Sequence, residues 1–142
     1  MPYSSSPRIL FIDEYRDCCD LIGNLLWVEK CDYTFCIANT PNEALELIAS
    51  EPFNLYILEK DLPQMSGVEL CRRIRRTDKH TPILFFTRKA RPFDREACFA
   101  AGANEFLVKP HDSQRITGTI RRLLKDSLSQ KIKNQSACYL AK

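Results

Sequence analysis

Five short apolar runs alternate with five stretches of helical spacing along the chain. The runs are 9–12 (ILFI), 33–38 (YTFCIA), 55–58 (LYIL), 82–87 (PILFFT) and 105–109 (EFLVK). After the first, apolar residues recur at i, i+3 and i+4 through Tyr15, Cys18, Cys19, Ile22, Leu25 and Leu26, the mark of an amphipathic helix. A second helix opens at "TPNEALELIA", where Thr40 can cap, Pro41 takes the first helical position and Glu43 completes a capping box. Ser66 and Glu69 repeat that spacing ahead of Val68, Leu70, Cys71 and Ile74. A fourth helix from about Pro92 ends at Gly102, a residue suited to a helix C-terminus. The last starts near Asp112 and buries Ile116, Ile120, Leu123 and Leu124.

Strands this uniformly apolar belong in a parallel sheet covered on both faces, so five βα units predict an α/β, doubly wound fold. Right-handed crossovers leave few arrangements of it. Ligands in such folds bind beyond the carboxyl ends of the strands. Those ends carry Asp13 and Glu14, then Glu59, then Thr87, then Lys109. Three acids, one hydroxyl and one lysine on a single edge make a candidate site. Thr87 alone would be an ordinary strand residue, but its company gives it a site role. A lysine that closes an apolar strand needs an anionic partner, and the acids supply one.

Composition narrows the function without naming it. A length of 142 residues suits one domain with a real core, and 44% apolar with 27% charged residues is ordinary for a soluble protein. No apolar run approaches a membrane span, and "MPYSSSPR" lacks the apolar core of a signal peptide, so the cytosol is expected. The seven cysteines include no C-x-x-C pair and are joined by only His80 and His111, which favours buried reduced thiols over a metal or redox site. A net charge of +3 is too small to imply a polyanionic partner, and "RRIRR" at 72–76 reads as a solvated helix face. Nucleic acid is an unlikely partner, since neither a helix-turn-helix pattern nor a strongly basic tail follows. The expected organisation is an arm over 1–7, a domain over 8–125, and an extension of the last helix with a tail over 126–142. Leu128 and Ile132 continue the apolar stripe there.

With these features in order, residues 8–125 resemble the receiver domain of two-component response regulators. The resemblance rests on the acidic pair in "FIDE" and on "EKDLPQMSG", where proline and glycine follow the acid by four and eight residues. It rests also on the hydroxyl in "FFT" and the lysine–proline of "AGANEFLVKP". It implies a flavodoxin-like topology with strand order 2-1-3-4-5. It further implies an aspartate nucleophile that takes a phosphoryl group from phosphohistidine, beside a Mg²⁺ held by the acidic pair and a main-chain carbonyl. By position the metal roles fall on Asp13, Glu14 and the carbonyl of Asp61. Switch roles fall on Thr87, Phe106 and Lys109, a cis peptide precedes Pro110, and the phosphoacceptor place is held by Glu59.

Glutamate is longer than aspartate by about 1.5 Å. In-line transfer is strict enough that a misplacement of about 1 Å can lower the rate on the order of 10²-fold. The expectation is therefore a protein-interaction switch or adaptor that works without phosphorylation, by binding rather than catalysis, with Mg²⁺ weakly held or absent. Its partner would be a histidine kinase, an output protein or a second copy in a homodimer, met through the fourth and fifth helices and the fifth strand. Glu59 could meet Lys109 and Thr87 as a phosphate imitation, or lock an inactive shape through Lys109 alone. Arg88 could reach Glu59, and Lys89 could pair with Asp61. The rival readings are an ordinary response regulator that still accepts phosphate and a flavodoxin-like cofactor protein. Against the latter, no loop rich in Gly, Ser and Thr follows the first strand to cradle a flavin phosphate.

Overall fold

The computed structural model describes residues 6–88 and 91–140, with side chains as far as Ser129. Five strands, β1 (Arg8–Ile12), β2 (Thr34–Ala38), β3 (Leu55–Leu58), β4 (Ile83–Thr87) and β5 (Glu105–Val108), form one parallel sheet in the order 2-1-3-4-5. Between and after them run α1 (Arg16–Val28), α2 (Pro41–Ser50), α3 (Gly67–Thr77), α4 (Pro92–Ala101) and α5 (Ile116–Leu140).

Period-two alternation divides the strands between two cores. Leu10, Ile12, Tyr56, Leu58, Ile83, Phe85 and Phe106 face α2, α3 and α4, where Ala44, Leu70, Cys71, Ile74 and Cys98 are buried. Ile9, Phe11, Leu55, Ile57, Leu84, Phe86 and Leu107 face α1 and α5, against Cys19, Ile22, Leu26, Ile116 and Ile120. Each fully buried Leu, Ile or Phe contributes about 1.5–3 kcal/mol relative to an exposed one. A strand apolar throughout is thus held from both sides.

The caps form where the side chains predict them. Thr40 accepts the Glu43 N–H at 3.1 Å and Ser66 accepts the Glu69 N–H at 3.1 Å. The reciprocal half of the first box shifts by one residue, because Glu43 Oε2 accepts from the Asn39 N–H rather than from Thr40. Gly102 ends α4 at φ 117°, the left-handed conformation expected of it. Three details differ from expectation. Tyr15 caps α1 by position and is exposed, since the chain is still leaving the sheet there. The last helix begins with a 3₁₀ turn at Ser113–Arg115, so α5 proper starts at Ile116. Arg75 does not belong to a solvated face, as described below. Residues 1–5 of the expected arm lie outside the described residues, while Ser6 and Pro7 both hydrogen-bond Thr34. The last helix continues to Leu140. Among the described residues no helix is long and apolar enough to cross a membrane.

Candidate functional site

The sheet delivers its site residues from rigid backbone. The hydrogen-bond ladder runs one step past the strand ends: the Asp13 N–H donates to Ala38 O at 3.1 Å, Glu59 to Ile12 O at 3.0 Å and Lys109 to Thr87 O at 2.8 Å. Residue 59 is also crowded from behind. A Cβ on Gly67 would stand 2.2 Å from the Glu59 carbonyl oxygen, so only glycine lets α3 start this close to β3.

Asp13, Glu59, Thr87 and Lys109 meet in one cluster. Lys109 Nζ lies 2.6 Å from Asp13 Oδ2 and 3.1 Å from Glu59 Oε2. Thr87 Oγ1 donates to Glu59 Oε1 at 2.7 Å. The Tyr15 N–H donates to Asp13 Oδ1 at 2.9 Å, and Asn39 Nδ2 donates to the Asp13 carbonyl at 3.0 Å. The Lys109 ammonium also stands 5.2 Å from the centroid of the Phe86 ring, a favourable cation–π distance. Exposure is 0% at Asp13 and Thr87, 6% at Glu59 and 9% at Lys109. Charges this far from water persist only with partners, and all four groups have them.

Two carboxylates share one ammonium. Burial pushes the Glu59 carboxyl above its ordinary range, and Lys109 and Thr87 offset that only in part. Burial alone would lower Lys109, but its bond to Asp13 and the charge of Glu59 prevail and raise it. Glu59 moves upward because it is buried, and Lys109 moves upward because it answers two anions.

The other expected residues divide. Glu14 is exposed and lies outside the buried hydrogen-bonded cluster, where the chain leaves the sheet, but it lines the cavity above that cluster. A cavity of about 240 Å³ opens over the cluster, lined by Glu14, Tyr15, Glu59, Asp61, Arg88 and Lys109. Arg88 is exposed at its rim, and the ion pair of Glu59 is made with Lys109. Asp61 is exposed, with Lys60 Nζ at 3.7 Å. Lys89 lies outside the described residues. Phe106 is buried in the core shared with Phe85 and Cys98. The Lys109–Pro110 peptide is cis. Burial pushes the thiols of Cys19 and Cys98 up to about 12 and that of Cys71 up to about 11, as inert core cysteines should be.

Of the residues that would hold a Mg²⁺, Asp13 is engaged by Lys109 and the Tyr15 N–H, while Glu14 and Asp61 line the cavity above it. Both Asp13 oxygens and both Glu59 oxygens already accept hydrogen bonds, with Lys109 between the two carboxylates. Among the described residues no group of three His, Cys, Asp or Glu side chains is disposed to hold an ion.

Sequence reading missed two polar anchors. Arg75 donates to the carbonyls of Gly102 (3.0 Å), Asp78 (3.1 Å) and Thr81 (2.7 Å) and to Asn104 Oδ1 (2.9 Å). Lys60 pairs with Asp94 at 2.9 Å. Nothing in "RRIRR" separates Arg75 from its exposed neighbours, whereas a lysine directly after a site acid was a usable signal.

A family model for the response regulator receiver domain matches residues 9–121. The response regulator ArlR of Staphylococcus epidermidis is 37% identical over 118 residues, 83% of this chain and 52% of that protein. The chain thus spans about half the length of the curated relatives it matches. A CheY-like receiver domain protein of Methanospirillum hungatei superposes with a TM-score of 0.81 at 27% identity, covering 89% of this chain and 99% of that one. The response regulator TrrA of Thermotoga maritima, solved in complex with Mg(2+)-BeF, gives 0.72 at 27% identity over 82% of this chain and 98% of its own.

Proposed function

We propose, for a chain that belongs to the response regulator receiver domain family, that Glu59 occupies the phosphoacceptor place and that the domain signals by binding, without phosphate. One observation carries this reading. The Glu59 carboxylate is engaged by the Thr87 hydroxyl and the Lys109 ammonium together. Those are the two groups that the resemblance assigns to a transferred phosphoryl group. Glu59 is therefore a resident anion for the switch hydroxyl, and Phe106, buried as the inward form requires, fits the same state. The imitation supplies one negative charge against about 1.5 to 2 for a phosphate.

The partner would be a protein of two-component signalling or a second copy, met on α4, β5 and α5. Phe93 is 75% exposed on α4, and on the same helix the Phe99 ring lies under the Arg95 guanidinium. Apolar surface flanked by cations suits a protein partner with aromatic or acidic contacts. Mg²⁺ has no part in this display, because Lys109 supplies the cation.

Acetyl phosphate with Mg²⁺, followed by intact mass, tests the reading. The wild type should gain no phosphoryl mass, while Glu59→Asp, with the shorter carboxylate, should gain it. Phosphoryl mass on the wild type that disappears in Glu59→Gln would overturn the proposal in favour of an ordinary phosphorylated receiver.

A further inference from the structure

The residue after Glu59 reaches away from the cluster, across to α4. Lys60 is fixed at its main chain, where its carbonyl accepts the Gly67 N–H at 2.7 Å. Its side chain is 16% exposed and ends 2.9 Å from Asp94 Oδ1 in the first turn of α4. The Asp94 side chain is 10% exposed, and its other oxygen, Oδ2, is buried with no hydrogen-bond partner among the described residues. With Oδ2 unsatisfied, this carboxylate leans chiefly on Lys60, with a smaller contribution from Arg91. If Lys60 withdraws, Asp94 must turn to water, and the first turn of α4 must turn with it. Main-chain bonds from the Asp94 and Arg95 N–H groups to the Arg91 carbonyl hold that turn, while the Arg91 side chain makes no cap and the buried apolar residues of α4, Cys98 and Ala101, lie further along. The bond to Lys60 holds the Asp94 carboxyl below the usual carboxylate range, so the pair stays charged at neutral pH.

From this geometry we infer that Lys60 and Asp94 form a latch through which a change at residue 59 moves the start of α4. Residues 59 and 60 are consecutive and both pinned by Gly67, so a shift of one is a shift of the other. The latch bypasses the Thr87 hydroxyl and gives the cluster a second route to α4. It requires nothing of phosphate. Phosphoryl labelling tests the proposed function and the mobility of α4 tests the latch, so either can fail alone.

Amide hydrogen exchange on the full chain separates the routes. Lys60→Met should speed exchange across Pro92–Ala101 by about tenfold while β1 and β3 amides keep their wild-type rates. Asp94→Asn should do the same, and the double variant should exchange no faster than either single one. Glu59→Ala should speed α4 exchange in the wild type and add nothing in the Lys60→Met background. An equal effect of Glu59→Ala in both backgrounds would assign the coupling to Thr87 and overturn the latch. Unchanged α4 exchange in Lys60→Met, or additive effects of Lys60→Met and Asp94→Asn, would overturn it as well.

Discussion

Two cations anchor opposite edges of the sheet, and opposite chemistry satisfies them. At the amino ends of β4 and β5, Arg75 donates to three main-chain carbonyls and one side-chain amide, all of them neutral. At the carboxyl ends, Lys109 meets two buried carboxylates and a ring face. Carbonyls keep their partial charge at every pH and have no second ionisation state, so Arg75 is a permanent strut. Carboxylates titrate and can be exchanged for a different anion, so the Lys109 edge can change state. One edge is thus held mainly by neutral acceptors and the other by titratable charges.

The comparison breaks most visibly at Lys109. Lys109→Met leaves Asp13 and Glu59 facing each other without a cation, and removing one partner of a buried pair costs about 3–5 kcal/mol. Urea unfolding should show that loss at neutral pH and a much smaller one in acid, where the carboxylates take up protons. A loss independent of pH would mean that Lys109 acts through packing alone.

Arg75→Met should cost less, about 1–3 kcal/mol, because water can reach the half-buried carbonyls it abandons. That loss should vary less between acid and neutral pH than the first, with the nearby Asp78 carboxylate supplying what pH dependence it has. The two sites share no partner and lie at opposite ends of their strands, so the double variant should lose the sum of the single losses. Marked non-additivity would show that the edges are coupled, and the division between strut and switch would fail.

Glu59→Gln sharpens the contrast with a gentler change, since the amide oxygen can still accept from Thr87 or Lys109. The folded-state pKa of Glu59 lies above its ordinary 4.5, so the folded protein holds this proton more tightly than the unfolded chain. The Glu59 contribution to stability is therefore greatest below the unfolded pKa and declines as pH rises through the folded one. The glutamine variant lacks that decline. Its stability relative to wild type should climb as pH is raised through this window and then level off. A relative stability that fell over the same range would show Glu59 to be stabilised as an anion.

Sequence pattern reached the strands, the caps and the buried part of the site for one reason: each depends on local order. Alternation and ladder continuation decide that Asp13, Glu59 and Lys109 point inward, and both follow from the strands that precede them. The same local logic stops one residue later. Glu14 and Tyr15 lie where the chain leaves the sheet, and neither periodicity yet applies to them. Arg75 and Lys60 were missed for a different reason. Their partners, Gly102 and Asp94, are 27 and 34 residues away in the chain, and a long flexible side chain chooses among neighbours that only the tertiary fold provides. The resemblance supplied the cis Pro110, which periodicity could not give.

The smallest expected effect concerns Mg²⁺. A ligand that binds the folded state alone raises stability as RT ln(1 + [L]/Kd), so even weak binding produces a shift that grows and follows a binding curve. In the wild type the Lys109 ammonium already sits between Asp13 and Glu59, and a divalent ion entering there would have to push that cation away from a carboxylate that has no other among the described residues. Millimolar Mg²⁺ should therefore leave the unfolding midpoint within about 1 °C of its value in EDTA, no more than general ionic screening allows. In Glu59→Asp the shorter carboxylate draws back from Thr87 and Lys109, which frees oxygen lone pairs at the same edge, and the Mg²⁺-dependent shift should appear there first. A saturable shift in the wild type would mean that the lysine yields its place to the ion, and the charge-balanced cluster would then be one of two states of this edge rather than its permanent form.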